Sequence, residues 1–135
     1  MTLPPVTTAR LQKALASVYS VPERLGLMKA YLGTYTARLE MPWVRSLKEK
    51  RALVKPAMER LKARYPVSAA RLAGQDNWGW EVVGFTILGW DSVWVEETLK
   101  EAARFLVTQS EFQVAEEQWS VDEVGLEALL PIWSK

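Results

Sequence analysis

Apolar positions along this chain change their period several times, and each change marks the edge of an element. Leu11, Leu15 and Val18 fall at i, i+4 and i+7 within TTARLQKALASV (7–18), which predicts a short amphipathic helix stopped by Pro22. The run MKAYLGTYTARLE, Met28 to Glu40, is rich in Tyr, Thr and Leu and reads as a strand ended by Pro42. A helix then opens at RSLKEKRALVK (45–55), where Ser46 and Glu49 have the S-x-x-E spacing that lets each side chain satisfy an exposed backbone N–H. With Val54 at the centre of its apolar face, Leu47, Met58, Leu61 and Tyr65 lie within about 40° on a helical wheel, and Pro66 stops the helix. Pro56 removes one helical hydrogen bond and crowds the preceding turn at a cost of about 3 kcal/mol, so a kink is expected near Ala52. Val67 to Ala73 reads as a strand, GQDNWG (74–79) as a turn, and Trp80 to Leu88 as a second strand of the same hairpin. Asp91 or Ser92 can cap a helix whose Val95, Leu99, Ala102 and Leu106 share one face, and Phe112 to Trp119 supplies a fourth strand.

The order β-α-β-β-α-β, with short connections, predicts an α+β fold: a ferredoxin-like sandwich with a four-stranded antiparallel sheet and both helices on one face. The expected organisation is an N-terminal extension over 1–27, the domain over 28–121 and a tail over 122–135. Leu126, Leu129, Leu130 and Trp133 make that tail too apolar to stay free in water, so it is expected to dock.

Composition narrows the chemistry. The 135 residues include no cysteine and no histidine, which removes disulfides, thiolate nucleophiles, Cys-ligated metals and the Ser-His and Cys-His devices. No D-x-D-x-D-G type loop is present, and neither a metal nor another cofactor is expected. No apolar run approaches the roughly 20 residues needed to span a bilayer, so a cytoplasmic protein with no membrane partner is expected. The net charge is only +1, yet it is sorted: residues 1–75 hold 14 Lys/Arg against 4 Asp/Glu, and residues 76–134 hold 2 against 12. Either the halves neutralise each other in the fold, or they present charge to a partner.

The motif SLKEKR (46–51), placed after a strand that a proline at 42 ends, and Gln75, Asp76 and Trp78 in the hairpin are similar to the signature of the YlxP-like family. These are bacterial proteins filed as a domain of unknown function (family 503). The resemblance runs from about Met28 to about Val121 and implies a ferredoxin-like fold, in agreement with the order of elements above. Members are often encoded beside translation-initiation and ribosome-maturation factors, which implies a connection with the ribosome or RNA. No activity is established for the family, so the resemblance implies no catalytic residue. The chain departs from the pattern at Pro56 and at GWEVV after Trp78, where a Gln-Arg pair is expected. Residues 1–27 lie outside the resemblance and precede a methionine. A start at Met28 is therefore an alternative that N-terminal sequencing would decide.

The first long helix carries the charge of interest. Lys48, Lys50 and Arg51 sit in its first turn and a half, where the macrodipole disfavours cations by a few tenths of a kcal/mol each. Arg51, Lys62, Lys55 and Lys48 fall between about 60° and 120° from Val54, a flank stripe about 21 Å long. Such a stripe, with Arg45 and Lys50 near the helix start, suits the phosphates of ribosomal RNA; the alternative is a merely solvated flank. Lys50 itself, at about −40°, points toward the apolar side and is expected to snorkel outward or meet Asp76, Glu40 or Glu116. In the hairpin, Gln75, Asp76 and Trp78 are candidates for recognising a base or a peptide, against a plain turn role.

If Val83, Phe85 and Ile87 face the helices, the open sheet face is expected to show Thr34, Thr36, Arg38, Arg71, Thr86 and Trp119. An RNA-recognition motif is excluded, because EVVGFTIL begins with an acid where that motif needs Lys or Arg. Acyl-phosphate hydrolases share the fold, but MPWVRS has no glycine-rich anion cradle. The expectation is a non-enzymatic accessory protein that binds RNA or the ribosome. The alternative is an interaction module that self-associates, as a homodimer, through its oppositely charged halves or its open sheet face.

Overall fold

Alternation in YLGTYTARLE becomes a strand, β1 (Ala30–Glu40), whose Tyr35, Ala37 and Leu39 are buried while Thr34, Thr36 and Arg38 are only partly covered. The computed structural model describes residues 29–109 and 111–131. After β1 come α1 (Leu47–Arg64), β2 (Ser68–Ala73), β3 (Trp80–Gly89), α2 (Ser92–Val107) and β4 (Gln113–Val124), then a 3-10 turn at Glu127–Leu129. The strands form one antiparallel sheet in the order β2-β3-β1-β4. This is the ferredoxin-like sandwich that the element order implies. The helix expected over 7–18 and the tail residue Trp133 lie outside the described residues.

Both helices cover the same face, because their apolar stripes join the inward strand residues in one cluster. Val54, Ala57, Met58 and Leu61 of α1 and Val95, Leu99, Ala102, Ala103 and Leu106 of α2 are buried with Tyr35, Leu39, Val83, Phe85 and Ile87. Burying each Val, Leu, Ile, Phe or Met among these contributes about 1.5–3 kcal/mol. The Ser46 hydroxyl accepts from the Glu49 N–H at 3.0 Å to start α1. Asp91, the residue that caps α2, accepts from the N–H groups of Val93 and Trp94. A Cβ on Gly33 would fall 2.9 Å from Val95, so the bare glycine lets α2 lie close on β1. α1 runs unbroken through Pro56; Pro56 and Ala52 both face water, which can hydrate the Ala52 carbonyl that has lost its helical donor.

Three expectations are corrected. β4 continues to Val124, past the expected end at Trp119, and covers the edge of the first β1 residues that β3 leaves open: Ala30 lies opposite Val124 and Gly33 opposite Val121. Arg71 and Trp119 do not belong to the open face. Arg71 is opposite Val83 and Trp119 opposite Tyr35, both inward residues, so both side chains lie on the helix side. There the Trp119 ring packs edge-on against Tyr35 at 4.7 Å between centroids.

Candidate nucleic-acid interface

The start of α1, the turn that precedes it and the β2–β3 hairpin meet at one end of the sheet, and a buried lysine fastens them. Lys50 projects from the first turns of α1 with its side chain 0% exposed, and its ammonium lies 3.1 Å from Glu81, also 0% exposed. The same ammonium donates to the carbonyls of Gly74, at 2.7 Å, and Trp80, at 3.2 Å, at the two ends of the hairpin turn. Arg71 from β2 approaches the Glu81 carboxylate from the other side with two guanidinium N–H donors. The Glu81 carboxylate raises the pKa of Arg71 above its ordinary value, chiefly through those bonds.

Lys50 therefore leaves the set of phosphate-binding candidates. A side chain sealed between a carboxylate and two carbonyls cannot reach a ligand. An ion pair was the structural alternative for this residue, but its partner is Glu81 rather than Asp76, Glu40 or Glu116. The signal was present in the sequence. Glu81, Val83, Phe85 and Ile87 share one parity in β3, which puts the acid on the core face with the apolar residues.

Arg45, Lys48, Arg51, Lys55 and Lys62 are all exposed. Lys62 is neutralised by Glu59 at 2.8 Å, and the hydrogen bond from that ammonium holds the Glu59 carboxyl below the usual carboxylate range, with Lys55 adding a smaller electrostatic pull. Arg45, Lys48, Arg51 and Lys55 have no carboxylate within ion-pair distance among the described residues. The bland expectation, that the basic and acidic halves neutralise each other, holds elsewhere. Lys29–Glu123, Arg38–Glu116, Lys50–Glu81, Arg60–Glu111 and Arg71–Glu81 all join the two halves. Along the flank, Arg51, Lys55, Met58, Glu59 and Lys62 line a shallow groove whose other wall is the edge strand β2 at Ala69, Ala70 and Arg71. Sequence reasoning missed Arg71 here because SAARLA alternates too weakly to fix its parity.

In the hairpin, the Asn77 N–H bonds to the Gly74 carbonyl at 2.9 Å to close the turn, and Gln75 donates its side-chain amide to the Arg71 carbonyl. Gln75 thus braces the turn, while Asp76 and Trp78 face solvent. The turn before α1 is closed by the Val44 N–H on the Met41 carbonyl, and the Met41 N–H bonds to the Gly79 carbonyl at 2.8 Å, joining the two turns. Trp43, an exposed residue of the first turn that sequence reasoning passed over, belongs to the same end. Among the described residues no group of acidic side chains could hold a metal ion, and no helix is long and apolar enough to cross a membrane.

Residues 32–119, which include every element of this site, match the family described as "Protein of unknown function (DUF503)". The chain belongs to that family. The match starts inside β1 and stops inside β4. No curated protein matches the sequence. Among solved structures the chain is similar to a de novo designed protein, Foldit4, with 15% identity, coverage of 71% of this chain and 96% of the other, and a TM-score of 0.39.

Proposed function

We propose that this protein is a non-enzymatic accessory protein of the cytoplasm that binds RNA, including RNA within the ribosome, by holding phosphates along the exposed flank of α1. The observation that carries this reading is the state of Arg45, Lys48, Arg51 and Lys55: exposed, close together along one helix and its leading turn, and without a carboxylate of their own among the described residues. Four cations in that state are a source of counterion-release affinity for a polyanion. They also account for cations at the helix N-terminus, where they weaken an isolated helix and gain when an anion arrives. The test is binding to ribosomal RNA across salt concentration. Affinity should fall steeply with salt, and Lys48→Glu with Lys55→Glu should lower the slope of log affinity on log salt by about 2 without unfolding the domain. Binding that ignores salt, or none at low salt, counts against it.

A second reading is a self-associating interaction module. It is favoured by Glu97 and Glu101, which are exposed on α2 without a basic partner among the described residues, and which would complement the α1 flank of a second copy as in a homodimer. Sedimentation across protein and salt concentration separates the two: a persistent oligomer indifferent to RNA favours the second.

A further inference from the structure

We infer that the ligand of this end of the molecule is an unpaired stretch of RNA, whose bases stack on Trp43 and Trp78 while its phosphates run toward Lys48 and the α1 flank. This rests on the phosphate-binding reading above and goes beyond it by naming the form of the nucleic acid and the residues that select it. Trp43 is 48% exposed, inside the turn that the Val44 N–H closes on the Met41 carbonyl, and Trp78 is 54% exposed, just past the turn that the Asn77 N–H closes on the Gly74 carbonyl. An indole so exposed contributes little to the core, and its ring face is free to cover another flat apolar surface.

The two turns are joined where Met41 bonds Gly79, and a Cβ on Gly79 would lie only 4.0 Å from the Pro42 Cα. Trp43 follows Pro42 and Trp78 precedes Gly79. With consecutive Cα atoms about 3.8 Å apart, the two tryptophan Cα atoms lie within about 13 Å of each other. The platform is held in advance. Lys50 grips both ends of the hairpin turn, Gln75 braces it through the Arg71 carbonyl, and the first turn leads within three residues to the Ser46 cap. Rigid turns lose little conformational freedom on binding.

The charges nearby select the partner. Arg45 and Lys48 follow Trp43 by two and five positions and carry no carboxylate partner among the described residues, so an apolar peptide would leave two cations uncompensated, whereas a polynucleotide supplies ring faces and phosphates together. Of the acids at this end, Glu81 is buried against Lys50 and Arg71 and Glu40 is paired with Arg38, while Asp76 and Glu49 are exposed; Asp76 at the hairpin tip suits a base amine rather than a phosphate. Duplex RNA hides its ring faces between neighbouring pairs, which is why an unpaired strand is required. Elsewhere Trp80 lies over Gly74, Trp119 is half exposed but packs edge-on against Tyr35 in the sheet, and Trp90 and Trp94 lie past the far end of β3.

The experiment measures fluorescence anisotropy of an unstructured RNA of about 12 nucleotides, of its duplex, and of the same sequence as DNA, against the full chain and its variants. The single strand should bind more tightly than the duplex. Trp43→Ala and Trp78→Ala should each weaken single-strand binding about 5- to 150-fold, with the salt slope unchanged, while Trp43→Phe and Trp78→Phe retain most of it. Thermal unfolding confirms that the alanine variants are folded, and the phenylalanine variants supply the comparison if they are not. Wild-type affinity in both alanine variants, or equal binding of duplex and single strand, overturns the stacking assignment; the phosphate reading then survives if Lys48→Glu with Lys55→Glu still lowers the slope. Tighter binding of the DNA overturns the assignment to RNA. Absence of binding by every probe at low salt removes both.

Discussion

The Lys50 ammonium sits 3.1 Å from a Glu81 carboxylate oxygen, and neither side chain is exposed to water. Removing one partner of such a pair leaves a buried charge alone, whereas here Glu81 has a second partner in Arg71. The two deletions should therefore differ. Glu81→Leu strands the Lys50 ammonium and should cost about 3–5 kcal/mol. Lys50→Met leaves Glu81 with Arg71 and removes one of two donors to the Gly74 carbonyl and the lysine donor to the Trp80 carbonyl, at about 1–3 kcal/mol. Urea unfolding of both variants tests this; the reverse order of stability would contradict the arrangement.

Glu59 neutralises Lys62, while Arg51 and Lys55 on the same flank have no carboxylate within ion-pair distance among the described residues. Glu59→Gln should release Lys62, raising RNA affinity at low salt and steepening the salt slope by about 0.7–0.9, whereas Lys62→Ala should change the slope less than Lys55→Ala does. Titrations at several salt concentrations measure both, and equal effects of the two lysines would show that the pair does not persist in solution.

Tyr35 is buried and donates its hydroxyl to Glu117 at 2.6 Å. Burial first, then this hydrogen bond and the charge of Glu117, raise the phenol well above its usual pKa of about 10. The native state then holds the proton more tightly than the unfolded chain, so the contribution is complete below pH about 10. It should decline by about 1.4 kcal/mol per pH unit above that. Tyr35→Phe should cost about 1 kcal/mol at neutral pH and show less alkaline loss than the parent. Unfolding free energies compared from neutral to alkaline pH decide it: parallel curves would mean that the phenol does not stay protonated in the folded protein.

Gly74 has φ +77°, and a Cβ there would lie 2.5 Å from the Trp80 ring. Gly74→Ala should cost at least about 1–2 kcal/mol for the left-handed backbone alone, with more from displacement of the ring. It should also loosen the hairpin that carries Trp78. Hydrogen exchange at the Asn77 amide, which bonds the Gly74 carbonyl, reports that loosening; unchanged protection would place the hairpin's rigidity elsewhere.

Local rules in the sequence determined the kinds and order of elements. Period-two alternation specified β1 and β3, the Val54 and Val95 stripes specified α1 and α2, and Ser46, Asp91 and Pro66 placed helix ends to within a residue or two. Right-handed, short connections then left few ways to pack six such elements. The tertiary structure decided what depends on which residue faces which. The pairing of β2 with β3 and of β4 with β1 turned Arg71 and Trp119 to the helix side, against expectation. The length of β4 followed from the edge of β1 that β3 leaves open. Lys50 found Glu81 across 31 positions of sequence because both project into one core, and an ion pair between distant elements leaves no local periodic trace. For the same reason, charge counts along the chain gave balanced halves, while only the fold determined that Glu81, Glu111 and Glu116 reach their cations and that Arg45, Lys48, Arg51 and Lys55 stay unmatched among the described residues.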